Sequence, residues 1–311
     1  MTKLVIQIPC FNEAETLPET LADLPKSIEG VDEIELLVID DGSTDGTTEV
    51  AEQLGVDKVI RIPQNRGLAN AFVRGLDISL EMGADIIVNT DGDNQYQAQY
   101  IQPLIAPILN SEAEIVIGDR QVDTIQHFSR TKKLLQKLGS WVVRWASGTD
   151  IPDTTSGFRA FSREAALHLT VFSGYTYTLE TIIQAGKKGI SITSIPVRTN
   201  PSTRRSRLIK STIHYVAVSA LTILRIFLMY EALRVFVSLA MLPLTAGLIL
   251  IGRFLYFFVN GDGSGHIQSL IVAAILMVLA FLIGLLGLLA DLIARNRRLS
   301  EEIRYQLKKI E

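Results

Sequence analysis

A chain of 311 residues, 48% of them apolar, has room for one large or two ordinary domains with sizeable cores. The formal net charge of −3 hides an asymmetry: residues 198–311 carry 14 Lys/Arg against 6 Asp/Glu, leaving 16 against 27 for residues 1–197. A single cysteine, Cys10, excludes an internal disulfide and any metal cluster built on cysteine.

In chain order, the opening MTKLVIQIPCFNE holds an apolar run too short for a signal peptide, so the front half is expected to stay in the cytoplasm. Residues 3–9 (KLVIQIP), 34–40 (IELLVID), 57–63 (DKVIRIP), 84–90 (ADIIVNT) and 113–119 (AEIVIGD) read as strands. Helical stretches separate them at 13–24, 45–55 and 67–81. Near-continuous apolar strands alternating with helices imply an α/β fold whose mostly parallel sheet is covered on both faces.

The back half changes character. STIHYVAVSALTILRIFLMY at 211–230 is apolar but interrupted by His214 and Arg225, which suits a helix lying in a membrane interface. Two stretches follow, about 235–259 and 267–290, long enough to span a bilayer, although the first reaches that length only by including Arg253 near its end. Arg204, Arg205, Arg207 and Lys210 precede the pair and Arg295, Arg297, Arg298, Arg304, Lys308 and Lys309 follow it, while the connecting NGDGSGH has no Lys or Arg. That asymmetry puts both termini on the cytoplasmic side of a two-helix hairpin at 231–294. The closing residues 295–311 fit a solvated helix or a contact between subunits, which admits a homo-oligomer. No aromatic interleaving accompanies their charge, so nucleic acid is not an expected partner.

In doubly wound sheets, ligands gather outside the carboxyl ends of the strands. Three predicted strands end in polar clusters: IPCFNE, IDDGSTDGT and NTDGDNQY. Each alone makes a good turn, and Asp45 has the position of a helix cap. Three at one sheet edge point to a binding site. No G-x-G-x-x-G follows the first strand and no G-x-x-x-x-G-K-[ST] occurs, so a glycine loop is not the main phosphate cradle. A divalent cation is the alternative. Asp91, Asp93 and Gln95 stand at every second position, and in an extended segment they would project hard oxygen donors to one side. Mg²⁺ or Mn²⁺ prefers such donors and bridges to substrate phosphates.

IPCFNEAETL, VIDDGSTDGT, NRGLANAFVRGL, NTDGDNQY, IGDR and DTTSGFRAF, in this order, resemble family 2 glycosyltransferases of the GT-A, Rossmann-like fold. More narrowly they resemble the dolichol-phosphate mannose synthase and polyprenyl-phosphate glucosyltransferase group, over roughly residues 4–210, and the paired spans resemble its two-helix members. The resemblance implies a cytoplasmic catalytic domain over 1–210, a nucleotide-sugar donor and a polyprenyl or dolichyl phosphate acceptor in the lipid bilayer. It implies nucleotide binding by Pro9, Asn12, Glu13, Asp40, Asp41, Ser43 and Asp91, and a metal held by Asp91, Asp93 and Gln95. It places the acceptor phosphate on Arg120 and on a basic residue of SRTKK, with Arg130 favoured over Lys132 or Lys133. Arg205 and Arg207 of RRSRL, where relatives have Ser-Lys, would close over the phosphates.

A lipid monophosphate is largely ionised at neutral pH because its second pKa is about 6, so its oxygen is already a nucleophile. The transferase then needs arginines to bring two anions together and a metal to stabilise the departing diphosphate. In-line displacement inverts the anomeric centre. Asp93, Asp153, Arg205 and Arg207 are the expected catalytic residues, Asp153 as an orienting group or a weak base. The resemblance to hairpin-bearing relatives favours a UDP-hexose, UDP-glucose first, as donor, with GDP-mannose the alternative. A processive polysaccharide synthase fits less well: WVVRW at 141–145 has Trp141 where Q-x-x-R-W needs Gln, and it precedes DTTSGFR. A silent membrane scaffold would not need the intact Asp91, Asp93 and Gln95.

Overall fold

The computed structural model describes residues 1–121, 130–171, 177–200, 212–261 and 267–310, with residues 130–138, 212–230, 298 and 310 as backbone alone. The first compact unit comprises Met1–Ile223 and Tyr305–Glu311, the second Leu224–Arg304.

The five runs read as strands form β1 (Lys3–Cys10), β2 (Glu33–Asp40), β3 (Lys58–Arg61), β4 (Ile86–Asn89) and β5 (Ile115–Asp119). Two more complete the sheet, β6 (Arg159–Ser162) and β7 (Ile192–Pro196), in the order β3-β2-β1-β4-β6-β5-β7. All neighbours are parallel except β6, which runs antiparallel to both β4 and β5. The register aligns Cys10 with Asp40, Gln7 with Asn89, and Asn89 with Arg159. The start of the reversed strand therefore joins the carboxyl ends of β1, β2 and β4 at one edge.

Helices α1 (Leu17–Asp23), α2 (Thr47–Gln53), α3 (Leu68–Glu81), α4 (Ile101–Leu109), α5 (Arg130–Ser147), α6 (Arg163–His168) and α7 (Thr178–Lys188) connect the strands. The central β1 is buried from Leu4 to Cys10, as its continuous apolar run requires. Leu4, Ile6 and Ile8 pack with Leu17 of α1 and with Leu104 and Ile105 of α4 on one face. Each such side chain, fully buried, contributes about 1.5–3 kcal/mol of transfer free energy. On α3, Ala69, Phe72 and Leu76 are buried at helical spacing, and Phe72 stacks on Tyr177 with ring centroids 3.8 Å apart.

The second unit is a pair of helices, the later part of α8 (Thr212–Val259) and most of α9 (Ile267–Ile310). The α8 backbone leaves helical angles at Glu231 (φ −131°, ψ 30°). Glu231–Val259 and Ile267–Lys309 are each long and apolar enough to cross a membrane. Small residues line their seam: Ala273, Ala280 and Gly287 recur every seven positions and are buried, as are Ala240 and Gly247. A Cβ on Gly287 would lie 2.7 Å from Cβ of Phe236, and one on Gly247 would lie 3.3 Å from the Ala273 carbonyl oxygen. Glycine at these positions lets the backbones approach closely. The outer faces carry exposed Leu242, Ile249, Phe281 and Ile293.

The charged end of the chain is not free. Within the first unit, the Tyr305 hydroxyl donates to Glu164 Oε1 at 2.7 Å, its ring stacks on His168, and Lys308 pairs with Asp77 at 2.6 Å.

Candidate active site

The polar edge is built from the strand ends outward. After β1 the chain turns at Asn12, whose φ of 56° lies in the left-handed region that Asn tolerates. Its N–H donates to Ser43 Oγ at 2.8 Å, and its side-chain oxygen accepts from Thr44 N at 2.8 Å. Glu13 N donates to Thr47 Oγ1 and Ala14 N to Asp45 Oδ2. Four consecutive neutral or charge-assisted bonds thus knit the ends of β1 and β2 into one surface. Asp45 supports the start of α2, accepting from Thr47 N, but its second oxygen braces the β1 loop.

Asp40 and Asp41 serve this scaffold. The Asp40 carboxylate accepts from Ser43 N at 2.8 Å and from the Thr48 hydroxyl. Asp41 accepts from Arg66 N and Gly67 N at 2.9 and 2.7 Å, satisfying amides at the N-terminus of α3. Directly after them Gly42 has φ +75°, and a Cβ there would lie 2.7 Å from Asn65 N, so only glycine fits that turn. Pro9 and Cys10 are buried in β1. Burial first, then the charges of Glu13 and Asp40, push the Cys10 thiol well above its ordinary pKa, which leaves it inert as a nucleophile.

The 91–96 segment is a turn and not an extended strand. Asn94 takes φ 51°, and Asp93 Oδ1 accepts from Gln95 N at 3.2 Å, an Asx turn that bends the chain. Burial nevertheless alternates: Asp91, Asp93 and Gln95 are half-buried, while Gly92, Asn94 and Tyr96 are buried. The three oxygen donors are thus the less buried residues of the turn. Their turn is held from several directions. Thr16 and Thr20 of the α1 region donate to the Gly92 carbonyl at 2.9 and 3.1 Å, Asn94 donates to Asp23, and Asn200 donates to the Asn94 carbonyl. A Cβ on Gly92 would lie 2.8 Å from Cys10 Sγ.

Two half-buried carboxylates and an amide suit a hard cation that keeps waters or takes phosphate oxygens. Among the described residues no group of three or more His, Cys, Asp or Glu could complete a metal cage by itself. The donor set therefore fits Mg²⁺ or Mn²⁺ shared with a ligand.

Asp91 faces the loop of DTTSGFR, since a Cβ on Gly157 would meet its Oδ1 at 3.2 Å. Behind that loop, Asn89 accepts from Gln7 Nε2 at 2.8 Å and donates to the Gly157 carbonyl at 2.8 Å. Gly157 N donates to the Tyr96 hydroxyl. Arg159, fully buried, donates to the carbonyls of Thr154, Ser156 and Thr178 and to the Thr181 hydroxyl. Burial pushes its pKa down to about 10, so it remains a cation at neutral pH.

Arg120 and Asp153 meet across this loop. Arg120 Nε donates to Asp153 Oδ2 at 2.7 Å, and Nη2 donates to Asp153 Oδ1 at 3.0 Å and to Thr155 Oγ1 at 2.7 Å. Burial raises the Asp153 carboxyl's pKa, but the Arg120 charge and the hydrogen bonds from Arg120 and Thr155 outweigh it and hold it below the usual carboxylate value. Asp153 is thus the ionised partner of Arg120. Among the described residues, Arg120 Nη1 has no hydrogen-bond partner.

The side chains of Arg130, Lys132 and Lys133, and residues Arg204, Arg205 and Arg207, lie outside the described residues. Sequence reasoning passed over Asn89, Tyr96, Arg159 and Asn200, which position the site from behind. Their signal was polar residues within or beside apolar strands. WVVRW lies on α5, where Trp141 and Trp145 are 57% and 64% exposed, one turn apart.

Residues 5–170 match the family model described as glycosyl transferase family 2. An undecaprenyl-phosphate mannosyltransferase of Micrococcus luteus is 30% identical over 201 residues, 61% of this chain and 80% of that protein. A UDP-N-acetylglucosamine–dolichyl-phosphate N-acetylglucosaminyltransferase of Methanococcus voltae is 30% identical over 213 residues, 62% of this chain and 83% of that protein. Among solved structures, glucosyl-3-phosphoglycerate synthase of Mycobacterium tuberculosis with Mn²⁺ and UDP-glucose superposes with a TM-score of 0.57 at 22% identity. The superposition covers 71% of this chain and 79% of that one, a likeness of fold.

Proposed function

The chain belongs to glycosyl transferase family 2, and on that footing we propose that it moves a hexose from a nucleotide-sugar to the phosphate of a polyprenyl or dolichyl lipid, with inversion. One observation carries the reading: Asp91 of the Asp91/Asp93/Gln95 turn faces Gly157 of the DTTSGFR loop, and Arg120 is bonded to Asp153 and Thr155 of the same loop. A donor diphosphate and an acceptor phosphate need those two kinds of group side by side. When bound at Asp91, Asp93 and Gln95, Mg²⁺ or Mn²⁺ supplies Lewis-acid neutralisation of the departing diphosphate.

The chain's own residues do the rest. Asn12, Glu13, Ser43 and Asp91 face the donor, while Pro9, Asp40 and Asp41 fix the loops that receive it. Arg120 offers its Nη1 hydrogens to the acceptor phosphate, and Asp153 holds the guanidinium in place for that contact. Arg130 supplies a second cation, and Arg205 and Arg207 close over the phosphates from the 201–211 segment. No general base is needed, since the nucleophile arrives ionised.

The membrane part of the reading divides the chain into a catalytic domain (1–210), an interfacial helix (211–230), a hairpin (231–294) and a cytoplasmic tail (295–311). The backbone break at Glu231 and the apolar outer faces of the hairpin support it. The exposed Trp141 and Trp145 are amphipathic rings of the kind that settle at headgroup level.

The test is transfer from a panel of labelled UDP- and GDP-sugars onto undecaprenyl or dolichyl phosphate, using purified chain in detergent with and without EDTA. UDP-glucose and GDP-mannose are the first two donors. One donor labels the lipid, and EDTA abolishes the label. Absence of labelled lipid from every donor, in folded protein that binds a nucleotide, overturns the acceptor assignment. In the same assay Arg205→Ala lowers transfer by at least about tenfold, in line with removal of one charge-assisted contact. Arg204→Ala, a membrane-surface charge, lowers it far less; equal losses mean that the stretch acts through bulk charge alone.

A further inference from the structure

Outside the strand ends, a cleft of about 410 Å³ lies between the edge strand β3 and one face of α3. Its floor is apolar, with Ile60, Ile62 and Val73, and its rim carries Arg61, Arg66 and Arg74. Arg74 and Asp77 stand one turn apart on α3 and Arg66 just precedes the helix; all three line the cleft.

The charges of these arginines are largely unspent. Arg61 reaches Glu49 only at 3.8 Å, with both side chains more than half exposed, and donates to the Ser43 carbonyl at 3.3 Å. Among the described residues neither the Arg66 nor the Arg74 guanidinium has a protein partner. Asp77 is the carboxylate that lines the cleft, and it is already matched by Lys308, whose side chain is 13% exposed. The tail therefore removes the negative charge that would otherwise offset the arginines. Three guanidiniums facing one cleft repel each other, and an arriving anion relieves that repulsion while accepting their paired N–H donors.

We propose that this cleft, which adjoins the loops of Asp41 and Ser43, is a second anion site that takes a phosphate- or diphosphate-bearing group. Guanidinium forks match phosphate oxygens in pairs, and the apolar floor accommodates the carbon portion of an organic phosphate. Two sources share this chemistry, an anionic lipid headgroup and a free phosphate compound, and they are separable.

The experiment uses the full chain in neutral detergent with EDTA present, so that metal-dependent diphosphate binding at Asp91 and Asp93 does not contribute. Inorganic pyrophosphate is titrated while thermal unfolding is followed, and retention of phosphatidylglycerol is counted by native mass spectrometry. Arg74→Glu reverses one charge at the cleft; Lys26→Glu makes the same charge change at an exposed site elsewhere. Asp77→Asn frees Lys308 to add to the cleft's charge. A pyrophosphate-induced stabilisation that needs at least tenfold more ligand in Arg74→Glu than in Lys26→Glu, and less ligand in Asp77→Asn, supports the site with a free phosphate as occupant. Loss of one retained phosphatidylglycerol in Arg74→Glu but not in Lys26→Glu supports it with a lipid headgroup. Indistinguishable behaviour of the Arg74 and Lys26 variants in both assays overturns it. All three positions are at the surface or rim, and unaltered melting without ligand confirms that each variant is folded.

Discussion

Asp93→Asn lowers sugar transfer at least about a hundredfold at saturating Mn²⁺, because one of two carboxylates expected to hold the cation loses its charge. The substitution is conservative for the fold. The structural duty of Asp93 is to accept a hydrogen bond from Gln95 N at 3.2 Å, and the Asn side-chain oxygen accepts it equally well. The surrounding ties from Thr16, Thr20 and Asn200 involve neighbours of Asp93 and not Asp93 itself. Circular dichroism and detergent-phase recovery therefore match the parent, while the labelled-lipid assay falls to background. A variant with near-normal turnover removes the metal assignment. Raising Mn²⁺ separates the two ways of failing: partial rescue means weakened metal affinity, and none means that the bound ion no longer stabilises the leaving group.

The second large effect belongs to Arg120 and Asp153. Asp153 is 2% exposed and its side chain meets Arg120 in two parallel hydrogen bonds. Removing one partner strands a buried charge, so Arg120→Ala or Asp153→Ala destabilises by about 3–5 kcal/mol. For a unit of this size that corresponds to a drop in Tm of roughly 10 °C. The double variant Arg120→Met/Asp153→Leu recovers much of this loss, because no charge is left unpaired, yet it transfers no sugar. That split between stability and activity is what a positioning pair predicts. The pH dependence has a definite sign. The Asp153 pKa is depressed in the folded chain, so the pair's stabilisation is fully present above the unfolded carboxylate pKa of about 3.9 and is lost as pH falls through the lower folded value. Parent protein loses stability below about pH 4 more steeply than Asp153→Asn does. Identical acid limbs in the two proteins mean that the carboxyl titrates normally.

The parallel part of the sheet was legible because β1, β4, most of β5 and the second half of β2 are buried and so read as largely apolar runs. β6 escaped notice for the converse reason. It is four residues long, RAFS, and begins with an arginine that belongs to the site and not to the sheet's apolar pattern. β7, ITSIP, is a half-buried edge strand with hydroxyls at two positions. The site was legible wherever clusters of Asp, Asn and Gly interrupted an apolar run. Which atoms those clusters spend on one another was not. Asp41 looks like a ligand in sequence, whereas its two oxygens brace α3. That Asp153 is paired with Arg120 is likewise visible only in the structure. A left-handed Asn94 converts a predicted extended segment into a turn, a change that no periodicity encodes because burial still alternates.

The seam of the helical pair has a consequence for how such a chain is assembled over evolutionary time. Ala240, Gly247, Ala273, Ala280 and Gly287 give the two helices a fit that depends only on each other. The atoms that a Cβ on Gly247 or Gly287 would meet all belong to the partner helix. On the membrane reading proposed above, an anchor that coheres by itself can be exchanged for another without redesigning the enzyme it carries.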